Sequence, residues 1–538
     1  MNPIPTTSAE WLAQHESLSA KWERLVKEDP RRAVRVLLLH GVRDETIEGD
    51  TGHDLSYVIG HLRKMTFDAK SQDWRAMVDA GVMPALLKAA LSVQGMIIPP
   101  GPNAPNFEVD AAVQMTPTPY FPILEILCNA ICSCSIPPGP TELKMAEEIK
   151  KSWSAIMQRV WSEPGHSLDP QPERIRLLER IVVPQIVSRL PLIDPSFIEV
   201  IFKTSDLTLA VIFRYWIHST SVADSRMNGG VLLYLLDKPV DPHPWKDGLE
   251  AYPPPPFKEL LARIYLGASK TAGSNKKKRT PLQAAEAILA AFVRHFTNLS
   301  LDEVSVEYNF FHAFFDLCLK ENRPFVRATY KSESFWKANA DVMRRAAETP
   351  VPQSPAVFLA GLTTYSTMSH PVQEDGKEFI DAMTYNWISS GIFDILDKYI
   401  DRVIAVGRGP MIMTGILAAF ERYLPKLTDK TKALLRSQLP RPRMTKRLLV
   451  SGTMSTDEER QRLQNAYSDF VQNGFGADPR SVIWLQGAWQ MLGIITAKVE
   501  DPTQCARRGC ALDAEPGDEL TCKLCNKVRY CSQDCLKR

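Results

Sequence analysis

No apolar run among the 538 residues reaches the roughly 18–20 needed to cross a bilayer, and the best candidate, Leu207 to Ile217, is broken by Arg214. The N-terminus, MNPIPTTSAEWLAQHES, lacks the basic-then-apolar order of a secretory signal. An excess of either charge is missing too: 64 Lys and Arg face 62 Asp and Glu, and the net +2 argues against direct nucleic-acid binding. HExxH, GxSxG, phosphate-loop and dinucleotide fingerprints are absent. The ten histidines, His15 to His370, form no close pair with metal or triad spacing. Period-2 strands bounded by turn residues are scarce before Cys505. These absences predict an intracellular chain with no membrane segment, cytoplasm and nucleus being unresolved, and an all-α body without a catalytic signature.

What is abundant is proline, with 40 residues clustered between long patterned segments, as in helices joined by proline-marked loops. The pattern predicts helices over 8–29, Arg31–Leu39 and His53–Met65. In the second half it predicts Leu282–Phe296, Glu307–Leu319, Ser334–Ala347, Val357–Ser369, Glu378–Tyr399, Ile412–Leu424, Asp457–Gly474 and Ser481–Val499, the last with Trp484, Trp489, Leu492 and Ile495 on one face. Pro-rich loops are expected at 99–122, 137–140 and 253–256.

The segment Asp73–Leu91 is the most instructive. One helix lines up Trp74, Met77 and Val78 and stops at Gly81, which suits a left-handed C′ residue; Pro84 then fits the first turn of a second helix. This helix, Gly, Pro, helix unit resembles the armadillo type, whose stacked helices form a solenoid. Degraded versions are read at Ile181–Ile186, at Gly229–Leu236 and at Gly391–Leu396, but their intervals share no period, so an irregular armadillo-like helical array is expected. Its divisions are a helical region over 1–267, a basic mobile linker over 268–281 and a second helical region over 282–500. Lys276–Arg279 in the linker can be read as solvated charge or as a nuclear-import signal.

Four cysteines lie in the body. Cys128, Cys132 and Cys134 sit in the apolar run LEILCNAICSC; Cys128 and Cys132 share a helix face, but no nearby histidine or carboxylate completes a metal site, so all three are expected to pack as small hydrophobes, as is Cys318. His61, His218 and His312 fall on apolar faces and are expected to be structural. Glu307, Asp316 and Glu321 are read as helix-surface charge.

The other six cysteines crowd the last 34 residues, CARRGCALDAEPGDELTCKLCNKVRYCSQDCLKR. They form three close pairs: Cys505 with Cys510, Cys522 with Cys525, and Cys531 with Cys535. A pair spaced by two to four residues can turn both sulfurs toward one ion, with Zn–S bonds of about 2.3 Å. So short a polar segment buries too little to fold alone, and a structural zinc supplies roughly 10 kcal/mol or more. A disulfide framework does not suit a large chain without a signal, and a redox dithiol at Cys522-x2-Cys525 lacks βαβ surroundings. A six-cysteine DNA-binding zinc cluster needs a short basic gap, whereas Cys510 to Cys522 carries Asp513, Glu515, Asp518 and Glu519.

The run Cys522-x2-Cys525-Asn-Lys-Val528-Arg-Tyr530-Cys531-Ser532-x2-Cys535, preceded by Cys505-x4-Cys510, resembles the MYND-type zinc finger. That family folds as a cross-brace, so the resemblance implies a first zinc on Cys505, Cys510, Cys531 and Cys535. It implies a second on Cys522 and Cys525 together with a histidine and a cysteine that do not occur after Cys535 in this sequence, and hence one zinc held firmly and the other weakly or not at all. Fingers of this family bind short proline-containing peptides, which implies a non-catalytic adaptor with protein partners. MYND fingers also occur within SET-type lysine methyltransferases using S-adenosylmethionine, but no Asn-His-Ser-Cys segment or strand-rich catalytic fold is found here. A nuclear corepressor-like adaptor is the third reading.

Overall fold

The computed structural model describes residues 8–39, 48–94, 97–98, 114–115, 118–171, 175, 178–236, 257–271, 274–452, 481–499, 520–521 and 529–530. Among these the chain is almost wholly helical, with 25 α-helices and three two-stranded ribbons. It divides into two units, Met1–Ala291 and Phe292–Arg538.

Local chemistry sets the helix ends. Asp29 closes the helix Ser8–Glu28 and caps the next, Pro30–Leu37, its carboxylate accepting from Arg32 N at 3.1 Å. Ser71 does the same for Gln72–Asp79, accepting from Trp74 N at 3.2 Å. Gly81 then takes φ 92°, the left-handed conformation expected of it, and hands the chain to Val82–Ser92. The same device recurs at Gly391, φ 88°, between Lys377–Ser389 and Ile392–Lys398. The single helix expected over 378–399 is therefore two. By contrast Gly229 and Gly230 mark no break; they lie within Val222–Leu236, whose Asn228 is pinned by hydrogen bonds to Arg180 O and Asp224 O.

In the first unit, helices stack in two rows. One row runs Pro30–Leu37, Val82–Ser92, Pro140–Ser162, Thr208–Ile217, Phe257–Ser269, each packed on the next. The other runs Leu55–Met65, Phe121–Cys132, Val182–Ile193, Val222–Leu236. Trp22, Trp74, Trp153 and Trp216 are fully buried in this unit. Within the stretch 268–281, Lys270–Thr271 pairs antiparallel with Ser274–Lys278, and Arg279 Nη1 donates to Ala268 O at 3.0 Å.

The second unit is more regular, with three rows. Row A comprises Glu333–Glu348, Ile392–Lys398 and Pro442–Gly452, preceded by the end of Pro281–Asn298; row B comprises Leu301–Glu321, Ser354–Ser369, Gly409–Tyr423 and Ser481–Val499; row C comprises Arg323–Lys331, Lys377–Ser389 and Asp429–Ser437. Each helix packs on its counterpart in the following repeat. Row A helices begin at 281, 333, 392 and 442, intervals of 52, 59 and 50 residues, so an A-B-C unit of three helices recurs where no period was legible. The helices Arg323–Lys331, Asp429–Ser437 and Pro442–Gly452 were not anticipated from the sequence, while the expected Asp457–Gly474 lies outside the described residues. On Ser481–Val499 the buried positions are Leu485, Ala488, Leu492, Ile495 and Val499, leaving Trp489 exposed rather than in the expected stripe.

Guanidinium groups tie successive repeats together at helix C-termini. The last four carbonyls of a helix have no intrahelical donor and carry the negative end of its dipole. Arg159 Nη1 donates to Ala90 O at 2.7 Å, and its Nη2 donates to Val93 O. Arg189 Nη2 reaches Cys134 O at 2.9 Å, and Arg214 Nη1 reaches Trp161 O at 3.1 Å. In the second unit Arg345 covers Phe296 O and Leu299 O, Arg344 Ser390 O, Arg402 Ala346 O and Arg436 Val499 O. Carboxylates serve the opposite ends: Asp381 accepts from Thr428 N at 2.7 Å and Asp397 from Met444 N at 2.8 Å.

Arg214 is the deepest of these arginines. It is fully buried, faces Val160 O and Trp161 O, and lies 3.9 Å over the Trp161 ring. Burial lowers its pKa to about 10, so it stays charged at neutral pH. Replacing it with Met leaves those carbonyls without a donor, and the expected loss is about 2–4 kcal/mol. Arg214→Lys restores only part of that loss, because an ammonium neither forks nor stacks. Urea unfolding of the two variants beside the parent chain measures both.

Candidate functional site

Two groups of thiols are candidates, one in the C-terminal tail and one in the first unit. Of the tail, the structure describes a ribbon in which Leu520 pairs with Tyr530 and Thr521 with Arg529. This antiparallel register makes Cys522 the residue after the first strand and Cys531 the residue after the second, with Cys522-x2-Cys525 in the connection between them. The six cysteines Cys505, Cys510, Cys522, Cys525, Cys531 and Cys535 themselves lie outside the described residues. Their donor chemistry fits zinc, since thiolates are strong ligands for it and a hairpin is what turns a close cysteine pair toward one point. Among the described residues no group of three or more His, Cys, Asp or Glu side chains is placed to hold a metal ion. Among them, too, no helix is long and apolar enough to cross a membrane.

The body thiols depart from expectation. Cys128, Cys134 and Cys318 are buried, as their apolar neighbours predict, but Cys132 is exposed. The reason is its place as the last residue of Phe121–Cys132, where the helix runs out of covering neighbours. Its Sγ lies 3.9 Å from Cys128 Sγ, one turn earlier on the same face. Opposite, on Val182–Ile193, Gln185 Oε1 lies 3.3 Å from Cys128 Sγ, and Arg189 is held over the same helix end by its bond to Cys134 O. The Cys128 hydrogen bond and then the Arg189 charge lower the Cys132 pKa to about 7, against the penalty of burial. The same pairing, with burial, raises that of Cys128, and burial pushes Cys134 up to about 12.

Other candidates resolve as structural. Glu307 is not on the helix surface: it is buried, with Oε1 3.3 Å from Nδ1 of the equally buried His295. Its spacing carried the signal, three residues after Val304 and four before Phe311, both core residues. Asp316 and Glu321 are exposed as expected. His61 is buried, with Nε2 3.4 Å from Ser19 Oγ, and His312 Nε2 lies 3.0 Å from Thr364 Oγ1, a rung between neighbouring row B helices. The buried Arg180–Asp224 pair at 3.1 Å, also overlooked in the sequence, joins Val222–Leu236 to the turn before Val182–Ile193.

No family model matches this sequence, and no curated protein is similar to it.

Burial lowers the pKa of His312 to about 4 and lowers those of His15 and His61. A histidine kept neutral by the fold is protonated first in the unfolded chain, so its contribution is intact above about pH 6.5 and is lost as pH falls toward 4. For His312 that loss reaches about 3 kcal/mol at pH 4. His312→Gln is expected to flatten the decline in urea midpoint between pH 6.5 and 4.

Proposed function

We propose that this protein is a zinc-binding, non-catalytic adaptor, in which helical repeats present surfaces to protein partners and a MYND-type C-terminal finger takes proline-containing peptides. The observation that carries the reading is the arrangement of three close cysteine pairs with a hairpin bracketing the middle one. In this assignment Cys505, Cys510, Cys531 and Cys535 hold the first zinc, and Cys522 and Cys525 contribute half of a second site. The ion's role is to give a short, core-poor segment its fold; four thiolates close the coordination sphere and leave no open position for a reacting water. The chain works in a reducing compartment, where the thiolates stay free for metal.

Repeat arrays suit such a role because long faces are left over after each unit has covered its neighbours. Leu449 and Val450 on Pro442–Gly452 and Ile483, Trp489 and Ile494 on Ser481–Val499 are exposed apolar side chains on two helices that pack together. Exposed apolar side chains of this kind favour association with protein.

Metal analysis of the purified chain is expected to give one tightly held zinc. Cys531→Ser removes it while leaving the far-ultraviolet circular dichroism of the helical body unchanged; two tightly held ions, or none, refute the ligand assignment. A fluorescent proline-rich peptide should bind the zinc-loaded chain and be released by chelation. Transfer of a methyl group from S-adenosylmethionine to a histone tail would replace the adaptor reading with an enzymatic one.

A further inference from the structure

We propose that Cys128 and Cys132 form an oxidation-sensitive dithiol, in which a hydroperoxide oxidises the exposed Cys132 and Cys128 resolves it to an intramolecular disulfide. The inference is independent of the finger, since both residues belong to the first helical unit.

Three features of the geometry set this pair apart from the other body cysteines. Its two sulfurs are 3.9 Å apart, whereas Cys134 Sγ is turned back onto Ala130 O at 3.2 Å and Cys318 is fully buried. Cys132 is an exposed residue and its neighbour Cys128 a buried one, the order required of an attacking and a resolving thiol. The facing helix places an amide acceptor, Gln185, on the buried sulfur and a guanidinium, Arg189, near the exposed one. The end of a helix by itself disfavours a thiolate, because its carbonyl dipoles are negative there. Against that, the Cys128 thiol beside it and the Arg189 charge lower the pKa of Cys132.

The chemistry balances with the peroxide as oxidant. The Cys132 thiolate attacks the terminal peroxide oxygen, the O–O bond breaks, and the departing oxygen takes a proton and leaves as water or an alcohol; Cys132 becomes a sulfenic acid. The Cys128 sulfur then attacks the Cys132 sulfur, the S–O bond breaks, and hydroxide leaves as water with the Cys128 proton. Two thiols give up two electrons and the peroxide accepts them. Closing the bond to about 2.05 Å requires the Cβ atoms, about 5–6 Å apart at this helical spacing, to approach by one to two ångströms. Cys132 is the last residue of its helix, so only the final turn has to give.

The test uses the full reduced chain at pH 7. The tryptic peptide Ala89–Lys144 holds Cys128, Cys132 and Cys134 and no other cysteine, which separates the reaction from the six tail thiols. Iodoacetamide is expected to label Cys132 at least about tenfold faster than Cys134. After one equivalent of hydrogen peroxide the peptide should carry a Cys128–Cys132 link, retained in Cys134→Ser. In Cys128→Ser, Cys132 should instead accumulate as a sulfenic acid trapped by dimedone. Equal labelling of Cys132 and Cys134 in the unmutated chain, a peroxide-treated peptide with both thiols still reduced, or a link running to Cys134 would each overturn the proposal, whether or not the variants fold.

Discussion

The carbonyl end of a helix is the constraint around which this molecule is built. Among the described residues 25 helices create as many C-termini, each with unpaired acceptors and a negative dipole end. Arg159, Arg189, Arg214, Arg344, Arg345, Arg402 and Arg436 answer this demand from neighbouring elements. Arginine suits the task because its planar fork serves two carbonyls at once and its charge complements the dipole. The same contacts fix register: a guanidinium bonded to a particular carbonyl 46 to 69 residues away determines which turn of one helix lies beside which turn of the next.

Repetition follows from that stacking, and it explains why no period was legible along the chain. What recurs in the second unit is a position in space, row A on row A and row B on row B, filled by different residues each time. Phe296, Phe311, Phe335, Trp336, Tyr365, Trp387 and Phe420 carry the core from one repeat to the next through ring contacts of about 5–6 Å, with no fixed residue type at equivalent places. Interior packing selects for filled volume. The left-handed glycine survives as a marker at Gly81 and Gly391, but other junctions use different means, Ser332 capping Glu333–Glu348 for example. Glycine therefore marks the junctions at Gly81 and Gly391 but none at Gly229.

The cysteines illustrate a different division. In the tail, spacing speaks directly, because metal ligands must converge within a few ångströms and the chain between them is short. In the body, spacing showed only that Cys128 and Cys132 share a helix face. Whether that face is covered depends on where the helix stops and on what stands across from it, and Gln185 and Arg189, more than fifty residues away, were not visible as neighbours. Glu307 is the converse case: its charge suggested the surface, while its register among Val304, Tyr308 and Phe311 placed it inside opposite His295.

By itself, the sequence determined what depends on near neighbours: the helical class, from apolar spacing; the helix ends at Asp29 and Gly81, from residues that close or bend the adjacent backbone; and the clustering of thiols after Val499. The tertiary structure alone decided the three-row repeat, the pairing of arginines with distant carbonyls, the burial of Glu307 and the exposure of Cys132. The physical reason is range. Capping and helical periodicity act within a turn or two, whereas desolvation and charge pairing are set by whichever residue the fold brings across the gap, and along the chain that residue lies about fifty positions away.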